Sequence, residues 1–262
     1  MSGYGEFLTS AVSEASGLAA ELAGAVEATV KKDPDQVLTE ADLAVGTLLG
    51  RAIERAYPRD GLIDEELGVR PGDSGTTWLV DPIDGTANFA AGSPLYAVLV
   101  GVLRGGEPVA GAVALPAFGE LYVAERGAGV RCNGKAVAPS PRAALSSSLV
   151  AYGIDVHDRD RVRTDLRALD SLSASCRGLR MANSAFDLVQ VALGVYGGYV
   201  HRNCRIWDCV APQILVEESG GCCTDVYGER LVHDDPASRV QDVYSVVAAA
   251  PGVHGELLER VR

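Results

Sequence analysis

Hydrophobic and polar positions change period several times along this chain, and each change marks an element. Residues 4–30 are rich in Ala, Leu, Val and Glu and read as one long amphipathic helix, broken by Asp33-Pro34-Asp35. A second helix follows from about Thr39 to Tyr57, with Thr39-Glu40-Ala41-Asp42 in its first turn, where acids favour the helix dipole. Tyr57-Pro58-Arg59-Asp60-Gly61 is a turn and Leu62-Ile63 a short strand. Trp78-Leu79-Val80 is an apolar run expected to be a strand buried on both faces. Apolar segments then alternate with turn signals over Leu95–Leu103, Pro108–Leu115, Glu120–Glu125 and Gly129–Cys132, which predicts an antiparallel meander.

A Pro- and Ser-containing link at about residues 134–148 separates this half from one with a different rhythm. Strands are expected at Leu149–Tyr152, Gly198–His201 and Gln241–Ala248, and helices at Asp158–Ser171, Ser184–Leu193, Ile206–Glu218 and Val253–Val261. Such alternation favours a parallel or mixed sheet covered by helices. The link is the candidate boundary between an N-terminal half, residues 1–140, and a C-terminal half, residues 141–262.

Composition narrows the partners. A chain of 262 residues, 47% hydrophobic and 22% charged, is that of a soluble globular protein with a sizeable core. Its net charge of −12 argues against a nucleic-acid or anionic-membrane surface. A phosphorylated small molecule stays compatible, because bound metal ions reverse the sign of the field locally. The six cysteines fit no zinc pattern and are far too sparse for a disulfide scaffold. Reduced, mostly buried thiols are the better reading, and His201 with Cys204 and Cys209 as a metal cluster is a minor one. The N-terminus lacks a basic segment, and Glu14, Glu21 and Glu27 interrupt its Ala-rich stretch, so no signal peptide or membrane span is visible and a cytoplasmic protein is expected.

Candidate chemistry concentrates in Trp78 to Phe89. Pro82 pushes Asp81 into an extended conformation and should stop the ladder there. Asp84 then reads as an N-cap, and Gly85 and Thr86 as the opening of a helix whose free N–H groups suit an anion. Two carboxylates three residues apart repel each other. A divalent cation removes that conflict, and hard oxygen ligands beside an anion site suit Mg²⁺ bound together with a phosphate. The plainer alternative is a strand-end turn and a capped helix with both acids solvated. Asp64-Glu65-Glu66 has the same two readings, a solvated loop or a neighbouring strand end facing the same pocket. By themselves Asp42 and Asp208 read as helix-start acids.

Taken in order, Thr39-Glu40-Ala41-Asp42, Asp64-Glu65-Glu66, the D-P-I-D-G-T core of Asp81 to Thr86, and Trp207-Asp208 leading into Val216-Glu217-Glu218-Ser219-Gly220-Gly221 resemble the inositol monophosphatase family. The resemblance implies an α/β (α+β) protein built as a five-layered αβαβα sandwich. Two N-terminal helices and an antiparallel-rich first sheet would carry most ligands, with a mixed or parallel second sheet beyond. It implies Mg²⁺-dependent hydrolysis of a small phosphate monoester by direct attack of metal-activated water, with two or three ions per site and no covalent intermediate. Glu65, Asp81 and the Ile83 carbonyl would hold the first metal, Asp81, Asp84 and Asp208 the second, and Glu65 a weaker third. Thr86, paired with Asp42, would orient the attacking water, and the N–H groups of Gly85 and Thr86 would cradle phosphate. Lithium sensitivity and a homodimer are further expectations of the same kind.

The sequence departs from the family pattern on the leaving-group side. Ala87 stands where a second Thr is frequent, and Asn183, before Ser184, where a Gly is frequent. His201, followed by Arg202 and close to Arg205, stands where inositol-selective members carry a glutamate. Donors and cations in place of a carboxylate suggest a leaving group other than plain myo-inositol: a sugar, a nucleoside or a group with a second anion. The alternative is that Arg202 and Arg205 point to solvent or pair with acids. Fructose 1,6-bisphosphate, histidinol phosphate and bisphosphorylated nucleotides remain candidate substrates within the same chemistry, and a non-catalytic metabolite-binding relative is the reading from another class.

Overall fold

The structure, a computed structural model, describes residues 3–23, 28–30, 37–138, 144–156 and 158–262. Helix α1 (Gly3–Leu22) is followed by an antiparallel pair, β1 (Ala28–Val30) and β2 (Val37–Thr39), and by α2 (Glu40–Ala56). Next come β3 (Gly61–Asp64), β4 (Gly68–Arg70), β5 (Thr76–Asp84), the short helix α3 (Thr86–Ala90), β6 (Ala97–Arg104), β7 (Glu107–Leu115), β8 (Glu120–Glu125), β9 (Gly129–Cys132) and β10 (Lys135–Ala136). Their strands form a sheet of order β10-β9-β8-β7-β6-β5-β3-β4, antiparallel except where β3 runs parallel to β5. The rest is β11 (Leu149–Tyr152), α4 (Arg159–Ser173), β12 (Gly178–Arg180), α5 (Ala185–Ala192), β13 (Gly198–Cys204), α6 (Ile206–Glu218), β14 (Cys222–Thr224), β15 (Tyr244–Ala249) and α7 (His254–Val261). Here the sheet order is β12-β11-β13-β15-β14, with β11 parallel to both neighbours and β15 antiparallel to both of its own.

Period-two alternation assigns neighbouring side chains to different cores. Trp78 and Val80 of β5 pack with Leu8 and Val12 of α1 and with Val45, Leu49 and Ile53 of α2. Leu79 between them faces the opposite way, into a core shared with Leu99, Val113, Val210, Ile214, Tyr199 and Val246. On the second sheet Val200 and Val247 turn to a third core containing Leu172 of α4 and Leu257 of α7. The result is five layers: α1 and α2, the larger sheet, α5 and α6, the smaller sheet, then α4 and α7.

Helix α6 lies in the middle layer, which explains why its Ile206–Val216 stretch is apolar on nearly every side and buried at every position except the intermediate Asp208. It sits directly on the larger sheet because two facing positions lack side chains. A Cβ on Gly101 of β6 would lie 2.6 Å from Val210 Cγ1, and one on Gly111 of β7 2.7 Å from Ile214 Cγ2. This close approach carries the first turn of α6 to the end of β5.

Three local expectations are corrected. The first helix ends at Leu22 rather than at residue 30, and Ala28–Val30 is strand, consistent with β-branched Thr29-Val30 preferring a ladder with β2. The break foreseen at Asp33-Pro34-Asp35 lies outside the described residues, as does part of the 134–148 link. Pro82 does not stop its strand: β5 runs on to Asp84, with a register shift against β6 between Asp81 and Asp84 that accommodates the missing N–H. Asp84 is not the cap of α3 either, since Gly85 stands there in the left-handed region at φ 79°.

Candidate active site

The shift in β5 builds the centre of the pocket. Asp81 pairs in register with Leu99 and Asp84 with Ala97, so Pro82 and Ile83 face Val98 alone and the strand bulges. Asp208, three residues into α6 from Arg205, joins from the opposite side. One carboxylate oxygen from each of Asp81, Asp84 and Asp208 lies within 4.8 Å of the others. Asp84 Oδ2 accepts from the Ala185 N–H at 2.5 Å and Asp208 Oδ2 from the Arg205 N–H at 2.6 Å. Asp81 Oδ1 is buried with no hydrogen-bond partner.

Electrostatics mark the cluster as incomplete. Burial, and then the neighbouring acids Glu65, Asp84 and Asp208, push the Asp81 carboxyl well above the ordinary range. Burial and then Asp208 do the same to Asp84. Burial is also the main force raising Asp208. Three converging carboxylates, one with an orphaned oxygen, fit a hard divalent cation, which would satisfy the orphan and cancel the repulsion at once.

Glu65 reaches this pocket because β3 runs parallel to β5 and ends beside it: the Glu65 N–H donates to the Val80 carbonyl at 3.1 Å. The turn that aims it is held by Asp64, whose Oδ1 accepts from the N–H groups of Glu66 and Leu67, each at 2.8 Å. From the sequence Asp64 stands only as part of the Asp64-Glu65-Glu66 run, with no role of its own. Its signal was its place at the last position of a strand before a turn, where Asx side chains bond the backbone ahead.

On the other flank, Thr86 Oγ1 lies 2.8 Å from the Ile83 carbonyl and 3.3 Å from Asp42 Oδ1. Asp42 also closes a capping box, its Oδ2 accepting from the Thr39 N–H at 2.7 Å and the Thr39 hydroxyl at 2.6 Å. A Cβ on Gly85 would lie 2.9 Å from Ser184 Cβ, so only glycine fits both the positive φ and the approach of the loop before α5. Asn88 Nδ2 ties that turn across the pocket, donating to the Leu95 and Ala182 carbonyls at 2.8 and 2.7 Å.

The leaving-group side differs from the expectation. Glu65, Asp81, Ile83, Asp84, Gly85, Thr86, Asn183, Ser184, His201, Arg205 and Asp208 line one pocket, whereas Asp42 stands behind Thr86. Arg202 is not brought there. Strand alternation sends it to the opposite face, where it donates to the Tyr152 hydroxyl and the Val261 carbonyl and pairs with Asp165 at 3.4 Å. Arg205 stays at the pocket but donates from Nη1 to the Gln241 carbonyl at 2.5 Å. Ser184 caps α5, accepting from the Phe186 N–H at 3.2 Å. Asp155, Tyr199 and Asn203 line the same wall and carried no sequence motif.

With that geometry established, comparison defines the class. The model of the inositol monophosphatase family matches residues 2–262, and the chain belongs to this family of phosphoric monoester hydrolases. It is similar to inositol-1-monophosphatase ImpA of Mycolicibacterium smegmatis, 39% identical over 90% of this chain and 84% of the relative. It is also similar to a histidinol-phosphatase of Chlorobaculum parvum, 36% identical over 78% of each chain. Among solved structures, the extragenic suppressor protein suhB of Bartonella henselae superposes with a TM-score of 0.89 at 28% identity, covering 100% of this chain and 99% of that one. Among the described residues no helix is long and apolar enough to cross a membrane.

Proposed function

We propose that this chain is a Mg²⁺-dependent phosphomonoesterase acting on a small sugar, cyclitol or related metabolite phosphate. The observation that carries the reading is the orphaned, buried Asp81 Oδ1 inside a triangle of carboxylates, where burial and then the charges of Glu65, Asp84 and Asp208 raise the Asp81 carboxyl. Glu65, Asp81, Asp84, Asp208 and the Ile83 carbonyl are the ligands in this reading, two or three ions being held among them. All are hard oxygen donors, the set that Mg²⁺ prefers. Bound there, the ions supply charge neutralisation for the phosphate and lower the pKa of water.

The chain's own residues do the positioning. The helix-opening N–H groups after Gly85 have no intrahelical acceptor and are available to phosphate oxygens. The one proton of the Thr86 hydroxyl goes to Ile83 or to Asp42, so its lone pairs remain to hold a water in line with the departing oxygen. Asp42 accepts from Thr39 with its other oxygen, which fixes the carboxylate behind Thr86. A cytoplasmic homodimer is part of the same proposal, supported by membership in the family alone. Phosphate release from a panel of esters, with and without Mg²⁺, tests it: turnover must require the ion and disappear in Asp84→Asn.

A further inference from the structure

Asp155 sits in the wall of the pocket and has no part in the reading above. It leaves the end of β11 in a segment fastened on both sides. Gly153 donates its N–H to the Val200 carbonyl at 2.8 Å, and a Cβ there would lie 2.6 Å from the His201 ring. Asn183, in the left-handed region at φ 56°, grips the next residue with both ends of its amide. It accepts from the Ile154 N–H at 2.9 Å and donates to the Ile154 carbonyl at 3.0 Å.

The carboxylate itself is held by one oxygen. His201 Nε2 lies 3.1 Å and Asn203 Nδ2 2.8 Å from Asp155 Oδ2. These two residues are two apart on β13 and face the same way, while Arg202 between them faces the other core. Among the described residues nothing donates to Oδ1, and the side chain is 17% exposed. Burial works to raise the Asp155 carboxyl, but the hydrogen bond and charge of His201, with Asn203, bring it below the ordinary range, so it is an anion at neutral pH. His201 has nothing left for a ligand: its Nδ1 lies 3.2 Å from the Tyr199 hydroxyl and 3.4 Å from Cys204 Sγ. The wall therefore offers an acceptor, with both ring nitrogens of His201 engaged by Tyr199, Cys204 and Asp155.

We propose that Asp155 determines leaving-group specificity: Oδ1 accepts a hydrogen bond from a donor on the group esterified to phosphate, and His201 and Asn203 are positioning residues that hold Oδ2. The inference rests on the phosphomonoesterase reading and gives it a substrate class, esters whose leaving group carries a hydroxyl or an ammonium near the phosphate. It replaces the expectation of a second anion drawn from His201, Arg202 and Arg205.

The test compares kcat/KM for myo-inositol 1-phosphate, the hydroxyl arm, and histidinol phosphate, the ammonium arm, with that for p-nitrophenyl phosphate, whose leaving group has no such donor. Wild type, Asp155→Ala and Asp155→Asn are assayed with Mg²⁺, and the ratios cancel any loss of folded enzyme. A site built to bond a donor loses at least about tenfold in discrimination when the acceptor is removed. The ratio for the better donor ester is expected to fall by that factor in Asp155→Ala. Asp155→Asn should fall equally: with His201 and Asn203 both donating to one oxygen, its amide must turn NH₂ toward the pocket. A merely structural carboxylate would be rescued by the isosteric amide. Ratios that change less than threefold in Asp155→Ala, or that Asn restores, overturn the inference while hydrolysis of p-nitrophenyl phosphate leaves the phosphatase reading standing. A wild type that cleaves none of the three esters overturns both.

Discussion

Asp42 and Thr86 meet across 44 positions of sequence: Thr86 Oγ1 lies 3.3 Å from Asp42 Oδ1, while the other oxygen of the same carboxylate closes the capping box of α2. One carboxylate thus serves the start of a helix and the back of the pocket. Thr86→Val should lower kcat by about 10²–10³-fold, the range for losing a group that handles a reacting water, with little change in melting temperature. Asp42→Ala should lower kcat similarly and also lower the melting temperature, because it opens the capping box that Asp42 closes with the N-cap Thr39. Because the two act as a unit, the double variant should be barely slower than either single one. Multiplied losses would separate them.

The acidic triangle predicts opposite signs with and without metal. Asp81→Asn removes the buried carboxyl whose proton affinity is raised by burial first and then by Glu65, Asp84 and Asp208. Without divalent ions this variant should melt at a higher temperature than wild type, because burial and the neighbouring acids that disfavour the Asp81 anion no longer act on a charge. Mg²⁺ should raise the melting temperature of wild type through linkage and leave the variant unmoved. Thermal melts with EDTA and with Mg²⁺ check both; a wild type already the more stable in EDTA would remove the electrostatic basis.

Packing of α6 against Gly101 should appear in activity before it appears in folding. In Gly101→Ala the new methyl meets Val210 at the foot of the helix that carries Asp208. Overpacking of this kind costs about 1–3 kcal/mol, and a ligand displaced by a fraction of an ångström costs catalysis more. The variant should need a higher Mg²⁺ concentration for half-maximal rate, which a titration of activity against the ion reads directly.

His233 gives a pH dependence that does not involve the carboxylate triangle. It is fully buried, shares a 2.8 Å hydrogen bond with Gln213 Oε1, and leaves Nδ1 without a partner. Burial first, then the charge of Arg239, lowers its pKa from 6.5 to about 4. The neutral ring is therefore native, and unfolding takes up a proton between those values. Stability contributed by neutral His233 is complete above about pH 6.5 and declines as pH falls toward about 4, by roughly 2 kcal/mol between pH 7 and 5. Urea titrations at the two pH values should show that loss, and His233→Gln should flatten it.

How much of this was legible beforehand follows from the range of the interactions. Apolar runs such as Trp78-Leu79-Val80 and the turn signals between β6, β7 and β8 made the strands and the meander legible locally, whereas the five-layered sandwich followed from the family resemblance alone. Asp81 and Asp84 stood out in one dense stretch, while Glu65 kept two readings and Asp208 read as a helix-start acid until the family resemblance joined the separated blocks. The end of α1 was missed because Thr29-Val30 is claimed by a partner strand, and Asp84 was misread as a cap because its acceptor role is satisfied from Ala185, 101 positions away. Asp155 had no motif at all. Its surroundings come from β13 and from Asn183, and only the fold brings them together. Arg202 shows the reverse error, since a cation beside site residues points away by strand alternation.

The central claim is that the carboxylate triangle is a cation site serving phosphate ester hydrolysis. Phosphate release from the ester panel, measured in EDTA, in Mg²⁺ and in Asp84→Asn with Mg²⁺, addresses it most directly. The account predicts turnover of at least one ester that is absent in EDTA, restored by Mg²⁺ and lost by about 10²-fold or more in the variant, as expected when a group acting on the transition state is removed. Equal rates with and without Mg²⁺, or an Asp84→Asn enzyme as fast as wild type, would contradict it.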